Sequence, residues 1–217
     1  MRAMNPAACK TIIVFGGSFD PPHVAHTELA RQAMDAIGAD ATAFVPAGKA
    51  PHKSTAQTPA EDRLAMVRLA TAGEPRFFVV EDEVVRAADG RPSYTVETLA
   101  ALRERWGAGV KMRLLMGADM LRIFHQWREP ARIAELAEPL VLVRPPDTRE
   151  GLLAALSPKL PGGTDAELWG RRVLELPPVN LSSTMVRERL ARGEPITGLV
   201  SPAVEALIRE RRLYGVR

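Results

Sequence analysis

Two imidazoles three residues apart, His23 and His26, follow a glycine pair, Gly16-Gly17, and a Pro21-Pro22 step. Histidines so placed can ligate a metal, face an anion, or simply cap and pack. Zinc finds too few partners: two imidazoles are half a tetrahedral set, Cys9 is distant, and the nearest carboxylate, Asp20, follows a different geometry. If Pro21-Pro22 leads into a helix, the two rings share a face of its first turn and meet the same anion. The glycines let backbone approach a ligand closely, and amides of the turn and of the helix start can donate to phosphate. Neither a GxGxxG fingerprint nor a GxxxxGK[ST] loop is present.

A second group, Leu181-Ser182-Ser183-Thr184-Met185-Val186-Arg187, sets hydroxyls at a helix start with an arginine one turn along. That arrangement suits phosphate. It equally suits an ordinary N-cap with a solvated arginine.

The elements that must hold these groups are legible as short apolar runs at 11–15, 41–45, 76–80, 112–116, 140–143 and 172–176, alternating with helix-period segments. Thr58-Pro59-Ala60-Glu61 predicts a capping box with proline at the first helical position, and Gly73 a stop. Ser93-Tyr94-Thr95 opens another helix that Gly107 closes, and Ser201-Pro202 starts a last one over 203–212. The Pro/Gly-rich stretch 144–163 reads as a loop or insertion. Such alternation predicts an α/β chain with a parallel sheet, whose ligands bind beyond the carboxyl ends of the strands. The unusual residues fall there. Gly16 to His26 follow the first run, 46–53 the second, Gly117-Ala118-Asp119 the fourth, Arg144 the fifth and 177–187 the sixth.

Taken together, these segments resemble the nucleotidyltransferase superfamily with (H/T)xGH and ISSTxxR signatures, and within it the nicotinate-nucleotide adenylyltransferases. The GGxFDPxHxGH motif appears as Gly16 to His26 and ISSTxIR as Leu181 to Arg187; PPHK appears as Ala50-Pro51-His52-Lys53, and SYT-ET as Ser93 to Thr98. GAD is Gly117-Ala118-Asp119, and FxxW is Phe124 to Trp127. Order and spacing hold from about residue 11 onward. Ala25 departs from the family's glycine; its methyl would either crowd the nucleotide or be absorbed by a small backbone shift, the reading preferred here. Ala50 replaces a usual proline.

The resemblance implies a Rossmann-like doubly wound parallel sheet in a single domain with C-terminal helices, residues 11–217, behind an N-terminal extension, residues 1–10. It implies transfer of AMP from ATP to nicotinate mononucleotide, giving deamido-NAD and pyrophosphate. His23, His26 and Arg187 would be catalytic. Gly16, Gly17, Ser18, Phe19, Gly117, Asp119, Ser183 and Thr184 would complete the ATP site with them. Lys53, Tyr94, Thr95, Asp119, Trp127 and the amide of Arg128 would bind the mononucleotide. Mg²⁺ would be held through phosphates and water, with no protein metal site.

Such chemistry agrees with the residue types: the attacking phosphate is already anionic, so no general base is needed, and donors for developing charge suffice. Trp127 offers a stacking face and Thr95 a helix start that favours a carboxylate. Sister transferases acting on nicotinamide mononucleotide, phosphopantetheine or a cytidylyl substrate are the alternatives, with a non-catalytic nucleotide sensor behind them. Charge argues against a nucleic-acid partner, since 29 Lys and Arg barely exceed 26 Asp and Glu, although the isoelectric point is about 9.3. Lys49, Arg144 and the Arg209–Arg212 charge run read first as solvated side chains. A single cysteine and no apolar leader or membrane-length run predict a cytoplasmic protein with no membrane partner. Homo-oligomerisation stays open, and 46–57 reads as a loop able to move.

Overall fold

The computed structural model describes residues 5–48, 58–143, 145–177 and 180–216. Lys49, Ala50, Lys53 and Arg144 therefore lie outside the described residues, as does most of the 46–57 loop.

In chain order the elements are β1 Thr11–Gly17, α1 Val24–Ile37, β2 Ala41–Pro46, α2 Ala60–Thr71, β3 Phe77–Val79, α3 Asp82–Ala88 and α4 Thr95–Trp106. Then follow β4 Lys111–Gly117, α5 Ala118–Ile123, α6 Pro130–Leu136, β5 Glu138–Val143, α7 Arg149–Ala154, α8 Ala166–Gly170, β6 Val173–Glu175, α9 Ser183–Ala191 and α10 Pro202–Glu210. The six strands form one parallel sheet in the order β3-β2-β1-β4-β5-β6, the doubly wound arrangement expected. Strand order reverses at β1 and β4, which pair from Thr11 with Lys111 to Phe15 with Leu115. A crevice for ligand opens at such a reversal. Both strands run on into glycine, Gly17 and Gly117, so these residues are strand ends and not the loops expected from 11–15 and 112–116.

By contacts the chain resolves into two compact units. One comprises Met1–Gly16, Gln32–Thr42 and Tyr94–Pro178; the other Gly17–Arg31, Ala43–Ser93 and Val179–Arg217. The first is built on β4, β5 and β6, whose inner residues Leu114, Leu115, Leu140 and Val141 are buried, with Trp169 fully enclosed and its indole N–H on the Gly163 carbonyl (3.2 Å). The second owes its core to α1, α2, α9 and α10, where Ala25, Met66, Leu181, Val186, Leu190, Ile196, Val200, Val204, Leu207 and Ile208 form one apolar cluster. The Ala25 methyl thus joins the core. Burying one methyl there contributes on the order of 0.8 kcal/mol.

Two local expectations are corrected. The capping box at Thr58 does not form: Pro59 is the N-cap of α2, without a side-chain cap. The Thr58 amide instead donates to Asp20 Oδ2 (3.4 Å) and its carbonyl accepts from Arg63 Nε (3.0 Å). The 144–163 stretch also holds a helix, α7, because Thr148 Oγ1 accepts from the Gly151 amide (3.0 Å) while Leu152 is buried. Ser201 with Pro202 caps α10 as read, and Gly107 closes α4 at φ 85°. Among the described residues no helix is long and apolar enough to cross a membrane.

Candidate active site

The glycine-histidine segment is shaped by Phe19. Its φ of 48° is left-handed, and its buried ring lies beneath Gly17, where a Cβ would come within 3.0 Å of Phe19 Cζ. A side chain at 17 would crowd that ring, whereas a Cβ on Gly16 would meet nothing within 4 Å. The Phe19 ring also stands edge-on to His26, centroids 5.0 Å apart.

Helix α1 begins directly after His23. The His23 amide donates to His26 Nδ1 (3.1 Å), and the His26 amide donates to the His23 carbonyl (2.9 Å). This is one half of a capping box, with the His26 side chain in the place usually held by glutamate reaching back to the first amide. The rings stack at 3.7 Å with 25° between planes. Because Nδ1 of His26 accepts a backbone proton, the neutral ring carries its own proton on Nε2. The spacing thus brings the two imidazoles together as expected. The helix-start amides behave differently from expectation, since Val24 donates to the Leu199 carbonyl (2.9 Å) and those of His23 and His26 are engaged as above. Three amides read as phosphate donors therefore serve the fold.

Helix α9 meets the same turn. Ser182 Oγ caps it by accepting from the Met185 amide (3.2 Å). Ser183 Oγ donates to the Pro21 carbonyl (2.8 Å), so its hydroxyl proton holds the turn. Arg187 donates through Nη1 to the Asp20 carbonyl (2.7 Å) and through Nη2 to Thr184 Oγ1 (3.2 Å). The guanidinium is fixed one helical turn from Thr184, with Thr184 itself exposed.

Three residues of this region escaped the sequence reading. Arg63 is 1% exposed and donates to the carbonyls of Ser18 (2.8 Å), Gly48 (2.9 Å) and Thr58 (3.0 Å). Burial pulls its pKa below the usual arginine value, and the Asp20 charge opposes that pull. Asp20, considered only as a zinc ligand, is buried and accepts from the Tyr214 hydroxyl at Oδ1 (2.7 Å). Burial, with the Asp20 carboxylate adding to it, holds the Tyr214 phenol well above the ordinary tyrosine value. Arg63 had one available signal: it shares a helix face with Met66 and Val67, both buried.

The other unit carries the residues read for ribose and pyridine. Gly117 is the N-cap of α5, and a Cβ there would fall 2.5 Å from Asp119 Oδ1, so glycine makes room for that carboxylate to fold back. Tyr94 is the N-cap of α4, making Thr95 its first residue, half-buried. The Arg128 guanidinium lies 4.7 Å over the Tyr94 ring and pairs with Glu97 (3.0 Å). Trp127 is half-buried, edge-on to the fully enclosed Phe124 at 5.4 Å. Tyr94 and Arg128 are thereby joined, through the arginine side chain.

A family model described as cytidylyltransferase-like matches residues 14–189. A Chromobacterium violaceum protein named a probable nicotinate-nucleotide adenylyltransferase is 38% identical over 213 residues, spanning 93% of this chain and 97% of that one. A protein of the same name from Shouchella clausii is 36% identical over 95% of this chain and 97% of its own. Among solved structures, Plasmodium falciparum nicotinic acid mononucleotide adenylyltransferase complexed with NaAD aligns with a TM-score of 0.74 over 96% of this chain and 98% of that one. At 17% identity that likeness is one of fold.

Proposed function

This chain belongs to the cytidylyltransferase-like family, and from that membership we infer that it is a nicotinate-nucleotide adenylyltransferase, joining AMP from ATP to nicotinate mononucleotide with release of pyrophosphate. The relatives' shared name supports the activity. The observation that carries the chemistry is the stacked histidine pair, in which backbone donation to His26 Nδ1 leaves the ring proton on Nε2.

A phosphate oxygen of the mononucleotide attacks the α-phosphorus of ATP. The α-phosphorus–oxygen bond to the β-phosphate breaks in line, and pyrophosphate leaves with the bonding electrons. The nucleophile is ionised at neutral pH, so the protein's tasks are alignment and charge stabilisation. His26, with His23 stacked on it, donates to the triphosphate oxygens. Arg187 and Thr184 meet the departing β- and γ-phosphates. Gly16, Gly17 and Ser18 supply close backbone, and Phe19 holds Gly17 and His26 in place.

Asp119 accepts from ribose hydroxyls. Trp127 stacks on the pyridine, and Thr95 with the Arg128 amide receives its carboxylate, while Tyr94 lines that end. Lys53 completes the mononucleotide phosphate site. Among the described residues no group of three or more His, Cys, Asp or Glu is placed to hold a metal. A Mg²⁺ ion brought in on the triphosphate would neutralise charge on the phosphate oxygens. Residues 11–217 would act as one catalytic domain, in the cytoplasm.

Pyrophosphate release with ATP and Mg²⁺ tests the assignment, comparing nicotinate with nicotinamide mononucleotide. A strong preference for the acid is expected. Comparable rates would discard the carboxylate argument, and no release with either would overturn the assignment itself.

A further inference from the structure

The turn between the glycines and the histidines is held from distant parts of the chain. Its residue Asp20 has the Tyr214 hydroxyl on its carboxylate (2.7 Å), the Thr58 amide on the other carboxylate oxygen (3.4 Å), and Arg187 on its carbonyl (2.7 Å). Tyr214 reaches this position from an unusual backbone. Arg212 and Tyr214 both adopt left-handed φ values, 52° and 60°, uncommon for non-glycine residues. The tail is anchored independently by an Arg211–Asp62 ion pair, and Tyr214 packs on the cluster that includes Ala25 and Val186. Two residues in disfavoured backbone thus bring the Tyr214 hydroxyl to a buried carboxylate.

We propose that Tyr214 is a positioning residue for the adenylyl transfer: through Asp20 it fixes the Phe19–Pro22 turn, and with it the placement of Arg187 relative to His23 and His26. The inference rests on the transferase assignment above. Its physical basis is that Asp20 binds the tail with its side chain and Arg187 with its main chain. Freeing the carboxylate lets the turn shift, and the guanidinium seated on the Asp20 carbonyl shifts with it. Such displacement weakens interactions tuned to the transition state more than ground-state binding, so it appears in kcat.

Tyr214→Phe removes the hydroxyl and keeps the ring in the apolar cluster. The expected result is a kcat about tenfold lower, with KM for both substrates within about twofold. Arg211→Ala, which loosens the tail without touching Asp20, should keep kcat within about twofold while lowering the melting temperature. A Tyr214→Phe enzyme with unchanged kcat, or an Arg211→Ala enzyme losing as much kcat, would overturn the proposal and leave Tyr214 a packing residue.

A second readout covers a variant that does not fold. The chain has two tyrosines, so in Tyr94→Phe the ultraviolet titration of tyrosinate reports Tyr214 alone. Ionisation well above the free-tyrosine range is expected; a normal titration would show that Tyr214 is not buried against Asp20 and would overturn the proposal. Wild-type pyrophosphate release runs as the control. If wild type releases none, the assignment fails, and the tyrosinate titration still reports on the seating of Tyr214.

Discussion

At the scale of single residues, the site depends on which nitrogen of His26 carries the proton. Donation from the His23 amide to Nδ1 settles this through the backbone. His26→Ala removes the proposed phosphate donor together with the side-chain bond to the His23 amide, and kcat should fall by about 10²-fold or more, the scale for losing one transition-state donor. The protein should still fold, because loss of a cap costs only about 1 kcal/mol. Steady-state kinetics with circular dichroism on the same sample checks both halves, and a near-normal kcat would remove His26 from the chemistry. The histidine pair could be read from sequence because two imidazoles three apart at a helix start must share a face. Arg63 could not be read so easily: a charge next to Glu61 and Asp62 looks solvated until its three carbonyl partners are brought to it by the fold. Tyr214 was hidden for another reason. No local pattern marks a contact with a residue 194 positions away.

At the scale of elements, Arg63 on α2 ties the segment after β1, at Ser18, to the segment after β2, at Gly48. Gly48 is itself confined, since a Cβ there would lie 2.1 Å from the Glu83 carbonyl oxygen on α3. Arg63→Met keeps the stem and strands three carbonyls, a loss of about 3 kcal/mol or more. For a chain of this size that corresponds to a melting temperature lower by about 6–12 °C. Calorimetry on the variant decides it, and an unchanged transition would mean those carbonyls find other donors. The strands were legible as apolar runs, but their ends were not. Glycine reads as a terminator, yet parallel pairing needs only backbone, so β1 and β4 run on to Gly17 and Gly117. The capping box at Thr58 failed on competition: its amide goes to Asp20, outside α2, and its carbonyl takes the Arg63 side chain. A cap at Thr148 went unread because the prolines and glycines around it suggest a loop, though Thr148 and Gly151 have the right spacing.

At the scale of the whole molecule, the strand order places the carboxyl ends of β1 and β4 side by side at the reversal of the sheet. Gly17 leads from one into the histidines, and Gly117 leads from the other into Asp119. The bulk charge of +3 argues for a localised anion site over a broadly basic surface. If Mg²⁺ arrives on the triphosphate, chelation should abolish turnover and leave the substrate-free protein's melting temperature unchanged. A marked fall in that temperature on adding chelator would instead reveal a resident structural ion.

The ties on the Phe19–Pro22 turn have a consequence for how the protein is made. Ser183, Arg187 and Tyr214 lie 162, 167 and 194 residues beyond their partners in that turn. A ribosome adding about 5–20 residues per second needs several seconds or more to cover that stretch. During that time the histidines have emerged, but the groups that brace their turn have not. The nascent chain therefore passes through most of synthesis with the Phe19–Pro22 turn unbraced, and the turn is completed late, when the segment carrying Tyr214 folds back onto Asp20.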